Sequence, residues 1–449
     1  MRHGLLVALC SLSLGLLPSL GRAQVIEPMT PIPPLPTGPE APPQPGAPAV
    51  VGKTVTDRAR PEIDPLGIRF GDFFFFPRAE LDEGFNDNLF ATETGKVGAW
   101  LTQVVPAFDI RSNLPQNEID VSAGAALGRY SSHTSENYDD AYGALSGRID
   151  LTALTHILGG VRFDRLHEPR TSVSSPGNAA KPVVYNTETG NVGIAQTGTR
   201  IGYEVDGIVT RYDYEAPPAI GGGTVFQDDR NETGFEGAVK GTYEFYPDYQ
   251  AYLRGSGNSQ QFDHAAGNGI PIRDSNGYRI DAGLRVDLTG VTYVEGYAGW
   301  LEQDYRASQF GTISGFDIGG SLVWNFTTLD TLKLTTARVP YNSNAEIGAV
   351  APGAALSPGY LASTSVISLD HELLRNLLLN ANAGWENDDW KVIDRTDDVY
   401  SFGAGAKYLM NRNLYLGFTW TFERRNSTGL QSTTGFSQNI FLLRLSTQI

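Results

Sequence analysis

The chain has 449 residues, with 34 Lys and Arg against 50 Asp and Glu, a formal net charge of −16 and a single cysteine. Such an acidic balance disfavours nucleic acid as a partner and does not make a basic membrane-surface patch. One cysteine rules out a disulfide framework and thiolate metal sites.

In chain order, residues 1–23 read as a secretory signal. Arg2 and His3 give a polar start, Leu5 to Leu17 is apolar, Pro18 breaks the run, and Gly21-Arg22-Ala23 offers small residues for cleavage before Gln24. Cys10 lies inside this segment. Cleavage removes Arg2 and Arg22 and no acid, leaving 32 basic and 50 acidic residues, a balance of −18. Residues 24–66 form an arm and lead-in. The run "VIEPMTPIPPLPTGPEAPPQPGAP" (25–48) is too proline-rich and too poor in buryable surface to fold, and reads as a disordered, extended periplasmic spacer.

From residue 67 to 449 the texture is uniform, which predicts one domain. No stretch there approaches the ~18 uninterrupted apolar residues of a membrane helix. The choice is between a soluble exported β protein and one that crosses a membrane as strands. Two-residue alternation decides it. Tyr278, Ile280, Ala282, Leu284, Val286 and Leu288 oppose Arg279, Asp281, Gly283, Arg285 and Asp287. The stretches 235–245, 414–423 and 441–449 alternate in the same way. The runs reach ten residues or more. That suits a tilted membrane strand of ~9–11 residues better than a soluble strand of about 5–6.

In "GDFFFFPRAELDEGF" (71–85) this alternation sends Phe73, Phe75, Ala79, Leu81 and Phe85 to lipid, and Arg78, Glu80 and Asp82 to the lumen. Phe74 and Phe76 then point inward, towards the incoming arm, and Pro77 predicts a β-bulge.

Short connections are expected at 114–117, 151–154, 247–248, 288–290, 327–330, 369–376 and 411–413. Long ones are expected near 88–96, 131–140, 168–189, 216–229, 263–274, 306–312, 341–357, 388–396 and 426–433. Short and long alternate, as periplasmic turns and extracellular loops do in outer-membrane barrels. A hairpin within 188–215, turning at Gln196–Thr199 or at Asp206-Gly207, keeps the parity. The fold class is therefore all-β: a closed antiparallel transmembrane β-barrel of about 18 strands, with 16 as the alternative count.

The charges expected on the lumen wall are Arg148, Asp150, Arg162, Asp164, Glu236, Lys240, Glu244, Arg279, Asp281, Arg285, Asp287, Lys407, Glu423 and Arg444. They either brace neighbouring strands or select ions. Phe73, Phe75, Trp420 and Phe441 are the expected lipid-interface aromatics. The acidic clusters "ENYDD" (136–140), "QDDRNE" (227–232), "ENDD" (386–389) and "DRTDD" (394–398) fall at expected extracellular loops, as solvated charge or as ligands for hard divalent cations.

No catalytic or cofactor motif is present. "GALSG" (143–147) lacks the GxSxG order, the six histidines are scattered, and Gly221-Gly222-Gly223 has no GK[ST] after it. No enzyme, cofactor or metal is expected.

"RPEIDPLGIRFGDFFFFP" (60–77) followed by "FNDNLFAT" (85–92) resembles the start of the proteobacterial family known as putative β-barrel porin 2, and "GWENDDW" (384–390) is similar to a recurrent loop-edge pattern in it. The resemblance implies a Gram-negative outer-membrane barrel and, in some members, a place beside exopolysaccharide or capsule genes. It brings no catalytic residues and no established substrate. Ile449 departs from the terminal Phe usual in such barrels.

The leading expectation is a porin-like channel for small hydrophilic solutes with a mild cation preference, narrowed by loops 168–189 and 341–357. The alternatives are the outer-membrane component of an exopolysaccharide export system, whose arm would meet periplasmic export proteins, and a closed barrel with a structural or surface role. Outer-membrane lipid, lipopolysaccharide and the barrel-assembly machinery are the expected partners.

Overall fold

The computed structural model describes residues 54–198, 200–266, 270–288, 290–342 and 357–449. The expected signal, the proline-rich run and most of the expected loop 341–357 lie outside the described residues.

The chain opens with a three-residue strand, β1 (Ile68–Phe70), followed by β2 (Phe73–Asn86), β3 (Ala99–Ser112), β4 (Glu118–Tyr130), β5 (Tyr138–Asp150) and β6 (Thr155–His167). Next come β7 (Val184–Gln196), β8 (Ile201–Tyr214), β9 (Glu232–Tyr246), β10 (Tyr249–Phe262), β11 (Ser275–Leu288), β12 (Thr292–Tyr305) and β13 (Thr312–Trp324). The last six are β14 (Asp330–Asn342), β15 (Gly359–Leu374), β16 (Leu377–Trp390), β17 (Thr396–Asn411), β18 (Leu414–Thr428) and β19 (Phe436–Gln448).

From β2 onward every strand pairs antiparallel with its neighbours in sequence, and β19 returns to β2 from Ile440↔Asn86 to Gln448↔Arg78. Eighteen strands thus close a barrel. Closure matters because a backbone N–H or C=O facing hydrocarbon has no water to bond. The hairpin turns between the end of β7 at Gln196 and the start of β8 at Ile201, the first of the two expected places, while Asp206-Gly207 lies within β8.

The two faces of each strand follow the sequence pattern. Across β9 to β13, Val239, Gly255, Ile280, Trp300 and Phe316 stand in register, and the four with side chains are exposed. The neighbouring row, Lys240, Arg254, Asp281, Gly299 and Asp317, points the other way, with Arg254, Asp281 and Asp317 buried. One face is apolar and outside; the reverse is polar and inside.

Two expectations about local structure are corrected. Pro77 makes no bulge, since β2 and β3 pair without a register shift from Phe73↔Ser112 to Asn86↔Ala99. Pro77 sits where β2 passes from one partner to another: β1 covers Phe73–Phe75 and β19 starts at Arg78. The Pro77 carbonyl accepts the Ile449 N–H at 3.3 Å, so the missing Pro77 donor also faces that junction, where the ladder is already interrupted.

Phe74 and Phe76 point inward, where they meet Gly67, β1 and β3; the proline-rich run expected beside them lies outside the described residues. The Phe76 ring lies against Gly67, Arg69 stands over Phe74 at 5.9 Å, and Arg111 stands over Phe76 at 5.4 Å. A Cβ on Gly67 would come within 2.6 Å of the Phe76 ring, and its φ of 69° favours glycine.

The second correction concerns strand length. Barrel strands run from 13 to 16 residues, longer than the hydrocarbon requires, so polar stretches expected as loops are strand overhangs. Residues 369–374 belong to β15, leaving Arg375-Asn376 as the turn. Tyr138–Asp140 lie in β5, Glu232 in β9, Glu386–Asp389 in β16 and Thr396–Asp398 in β17.

Candidate functional site

The candidate site is the lumen. Its wall is laced by ion pairs, some within a strand, most between neighbouring strands and one across an intervening strand. Arg444 on β19 grips Asp82 on β2 through Nε and Nη2, both at 2.8 Å, and reaches Glu80 at 3.1 Å. Tyr415 donates to the same Glu80 at 2.6 Å, and the Lys407 ammonium lies 4.2 Å from the Tyr415 ring centre.

Arg148 bridges Glu118 at 3.2 Å and Asp150 at 3.0 Å, and His156 meets Asp150 at 2.7 Å. Arg162 holds Asp164 through two guanidinium nitrogens and stacks over Tyr142 at 5.0 Å. Lys240 stands 3.8 Å from Glu204, and Arg254 is 2.9 Å from Asp281. Arg279 spans β12 to reach Asp317 at 2.9 Å. It crosses above Gly299, where a Cβ would lie 2.1 Å from the Ile280 carbonyl oxygen.

Glu236 is buried on the same wall. Glu244, Arg285 and Asp287 sit near the short turns, where Glu244 accepts the Asp248 N–H at 3.3 Å and Asp287 accepts the Gly290 N–H at 2.9 Å. Glu423 lines a cavity of about 320 Å³, together with Gln103, Glu136, Arg170, Asn382 and Ser401.

On the outer face Phe73 stacks on Phe70 at 5.8 Å and Phe75 packs on Phe108 at 5.6 Å, at the end of β2 where the short turns lie. Trp420, Phe441, Phe85 and Trp100 follow one another in register across β18, β19, β2 and β3.

Two segments enter the lumen. At the short-turn end, the lead-in 54–64 lies at the mouth, against β14, β15 and the turn at Arg412. The Val55 N–H donates to Thr331 of β14 at 2.9 Å, and buried Arg60 donates to Glu372 of β15 at 2.8 Å. At the opposite end, loop 168–183 crosses the interior. Arg230 holds Glu168 with two bonds of 2.8 and 2.9 Å, and Arg170 holds Glu136 with two of 2.8 Å. Burial works against the Arg230 charge, but Glu168 outweighs it and the guanidinium's affinity for its proton is raised.

Further along the loop, the Thr171 carbonyl accepts a bond from Arg425 of β18, and Val173 packs against Tyr360 and Trp390. Tyr360 is on β15, nine places from β6 around the ring whichever way it is counted. Loop 168–183 therefore reaches from β6 into the lumen as far as strands on the opposite side of the ring order. Beside it opens a cavity of about 1030 Å³, lined by Glu93, Glu136, Arg170, Arg395 and Arg425 among others.

The acidic clusters are tied into these anchors. Asp397 takes two bonds from Arg395 Nε, Asp229 lies 3.8 Å from Arg273, and Glu136 belongs to Arg170. Among the described residues no group of three or more His, Cys, Asp or Glu stands where it could hold a metal ion. The pairs Arg60–Glu372 and Arg230–Glu168 carry no sequence signal. They join segments 312 and 62 residues apart, and nothing local announces them.

Among solved structures, the chain is similar to Pseudomonas aeruginosa OccK1 (OpdK), at 9% identity over 84% of this chain and 99% of that one, with a TM-score of 0.43. It is also similar to Pseudomonas aeruginosa OpdK with vanillate, at 10% identity, 84% and 99% coverage and a TM-score of 0.44. For Pseudomonas aeruginosa OccK2 (OpdF) in complex with glucuronate the values are 9% identity, 84% and 98% coverage and a TM-score of 0.45. No curated protein matches the sequence. The family model described as Putative beta-barrel porin 2 matches residues 60–449, which is the lead-in and the whole barrel. The chain belongs to that family of β-barrel porins.

Proposed function

We propose that this protein is an outer-membrane channel through which small hydrophilic solutes diffuse, with a mild preference for cations. The observation that carries the reading is the closed ring of 18 strands whose inner face is polar and charged while its outer face is apolar. The preference rests on the excess of acids over bases in the chain. It is mild in this reading because the lumen arginines are matched to carboxylates, which cancels much of the transverse field. Lipid and lipopolysaccharide wet the outer face, and no step of chemistry is required of the wall.

Single-channel recording in planar bilayers tests this. Defined unitary steps, and a reversal potential in a salt gradient shifted towards that of the cation, are expected. Absence of conductance at every salt concentration overturns the channel. A specific observation favours a second reading: the lead-in is bound at one mouth and loop 168–183 enters the lumen at the other end, as in a barrel closed for a structural role at the surface. Sealed bilayers carrying correctly folded protein would select it.

A further inference from the structure

The wall has one seam. β12 pairs with β13 from Thr292↔Trp324 to Asp304↔Thr312, and β14 pairs with β15 from Asp330↔His371 to Asn342↔Gly359. Between β13 and β14, however, the ladder runs only from Trp324↔Leu332 to Gly320↔Thr336. Beyond that point the ladder register between Thr312–Gly319 and Ala337–Asn342 does not continue.

Above the seam, β14 and β15 leave the wall and pass inside it. By alternation, Arg338, Asn342 and Leu361 belong to the outward face, since Leu334, Ile367 and Leu369 on that face are exposed. Yet all three touch inward-facing side chains of other strands. Tyr305 of β12 donates to Asn342 at 2.6 Å, and Asn342 in turn donates to Gln260 of β10. Leu361 is buried with Leu301, Tyr305, Phe310 and Ile313. At Gly315 an inward Cβ would meet Leu361 at 3.1 Å and the Arg338 guanidinium at 3.9 Å. The sheet overlaps itself like a scroll.

The sequence holds a cause. Asn325 N–H bonds to Val291 of the β12 side, so odd residues of β13 face β12 and even ones face β14. Leu329 C=O accepts from Glu372 on the β15 side, so even residues of β14 face β13. Continuing the register opposes Phe316 to Pro340, which has no N–H to give. The Arg338 side chain donates to the Phe316 carbonyl instead, at 3.5 Å.

We infer that the extracellular halves of β14 and β15 are a gate, moving between this inner position and a place in the wall where β14 zips further along β13. The inference rests on the channel reading above. Each position satisfies groups that the other leaves bare. The inner one keeps the Asn342 contacts and the Leu361 cluster. It leaves the β13 edge without a neighbouring strand at the level of Phe316 and Ile318, 63% and 56% exposed on the outer face, with one guanidinium bond at Phe316 in its place. Unpaired edge groups in hydrocarbon are costly. The wall position recovers bonds at Ser314 and Ile318 and lacks only the one Pro340 cannot make. Gly319-Gly320 on β13 and Thr336 on β14 mark the hinge.

One introduced thiol with two alternative partners tests this in the full chain, reconstituted in bilayers. Gly315→Cys with Leu361→Cys pins the inner position. Gly315→Cys with Tyr341→Cys pins the wall position, in which the continued register sets these two residues opposite each other. Both disulfides are expected to form from reduced, folded protein. The first should suppress conductance until reductant is added. The second should raise unitary conductance by roughly twofold or more as the inner layer leaves the lumen. If only the first variant forms its disulfide, or if both linked forms conduct alike, the gate is overturned. If both links form and neither form conducts, the motion stands and the channel reading falls.

Discussion

Replacing Arg444 by alanine tests whether the lumen wall is held by charge. The guanidinium makes two 2.8 Å bonds to Asp82 and a 3.1 Å contact to Glu80, and Asp82 is fully buried. In R444A, Glu80 keeps the Tyr415 hydroxyl at 2.6 Å, but Asp82 loses both guanidinium bonds. Breaking one side of a buried pair costs about 3–5 kcal/mol, because the survivor is left uncompensated. R444M/D82L removes both charges and should recover to within about 1 kcal/mol of wild type, since a buried pair and an apolar replacement are often nearly equal. The assay is equilibrium urea unfolding of the protein in micelles, followed by tryptophan fluorescence at constant m. If R444A falls within about 0.5 kcal/mol of wild type, Asp82 is solvated by lumen water and the wall needs no such clasp.

Other outcomes follow from the same structure. Glu168→Gln should loosen loop 168–183 from Arg230, giving faster proteolysis within 168–183 and larger, noisier current steps; an unchanged cleavage pattern would deny the anchor its role. Gly299→Ala, which drives a methyl into the Ile280 carbonyl, should destabilise the barrel by about 1–3 kcal/mol in the same urea assay, whereas Gly296→Ala, with open space around it, should be neutral. Pro77→Ala should stay within about 0.5 kcal/mol of wild type, because its donor would face a ladder that is already interrupted. Asp263 lies just past β10, and its bond from Arg211 holds its carboxyl below the usual range. A depressed carboxyl adds stability above its unfolded pKa and loses it as pH falls through the folded one. NMR titration should therefore place Asp263 low, and Arg211→Ala should return it to normal.

Much of the barrel is legible in the sequence because a period of two has one physical meaning when the apolar face is long and unbroken. Tyr278 to Leu288 shows it, as does the pairing of Leu416, Phe418 and Trp420 with Leu445, Leu443 and Phe441. Strand ends are harder to see. Glu386 to Asp389 read as a loop because charge ordinarily leaves a membrane, but the strand outruns the bilayer and carries those charges on its overhang. β1 has three residues and no pattern of its own. The route of loop 168–183 into the lumen depends on Val173 finding Tyr360 and Trp390 on β15 and β16, a meeting that no local spacing encodes. The seam does leave one mark, Pro340 in an otherwise alternating strand, although a proline in such a run has several meanings.

The short segment ahead of β1 touches the ring at several points, and the first two along the chain are on neighbouring strands. Val55 holds Thr331 at the foot of β14, and Arg60 holds Glu372 near the end of β15. Those are the two strands whose opposite ends have slipped inside the cylinder. Tension on the preceding polypeptide, applied from the periplasm, would load this pair before any other stave, so the tether and the inner leaf act on a common lever.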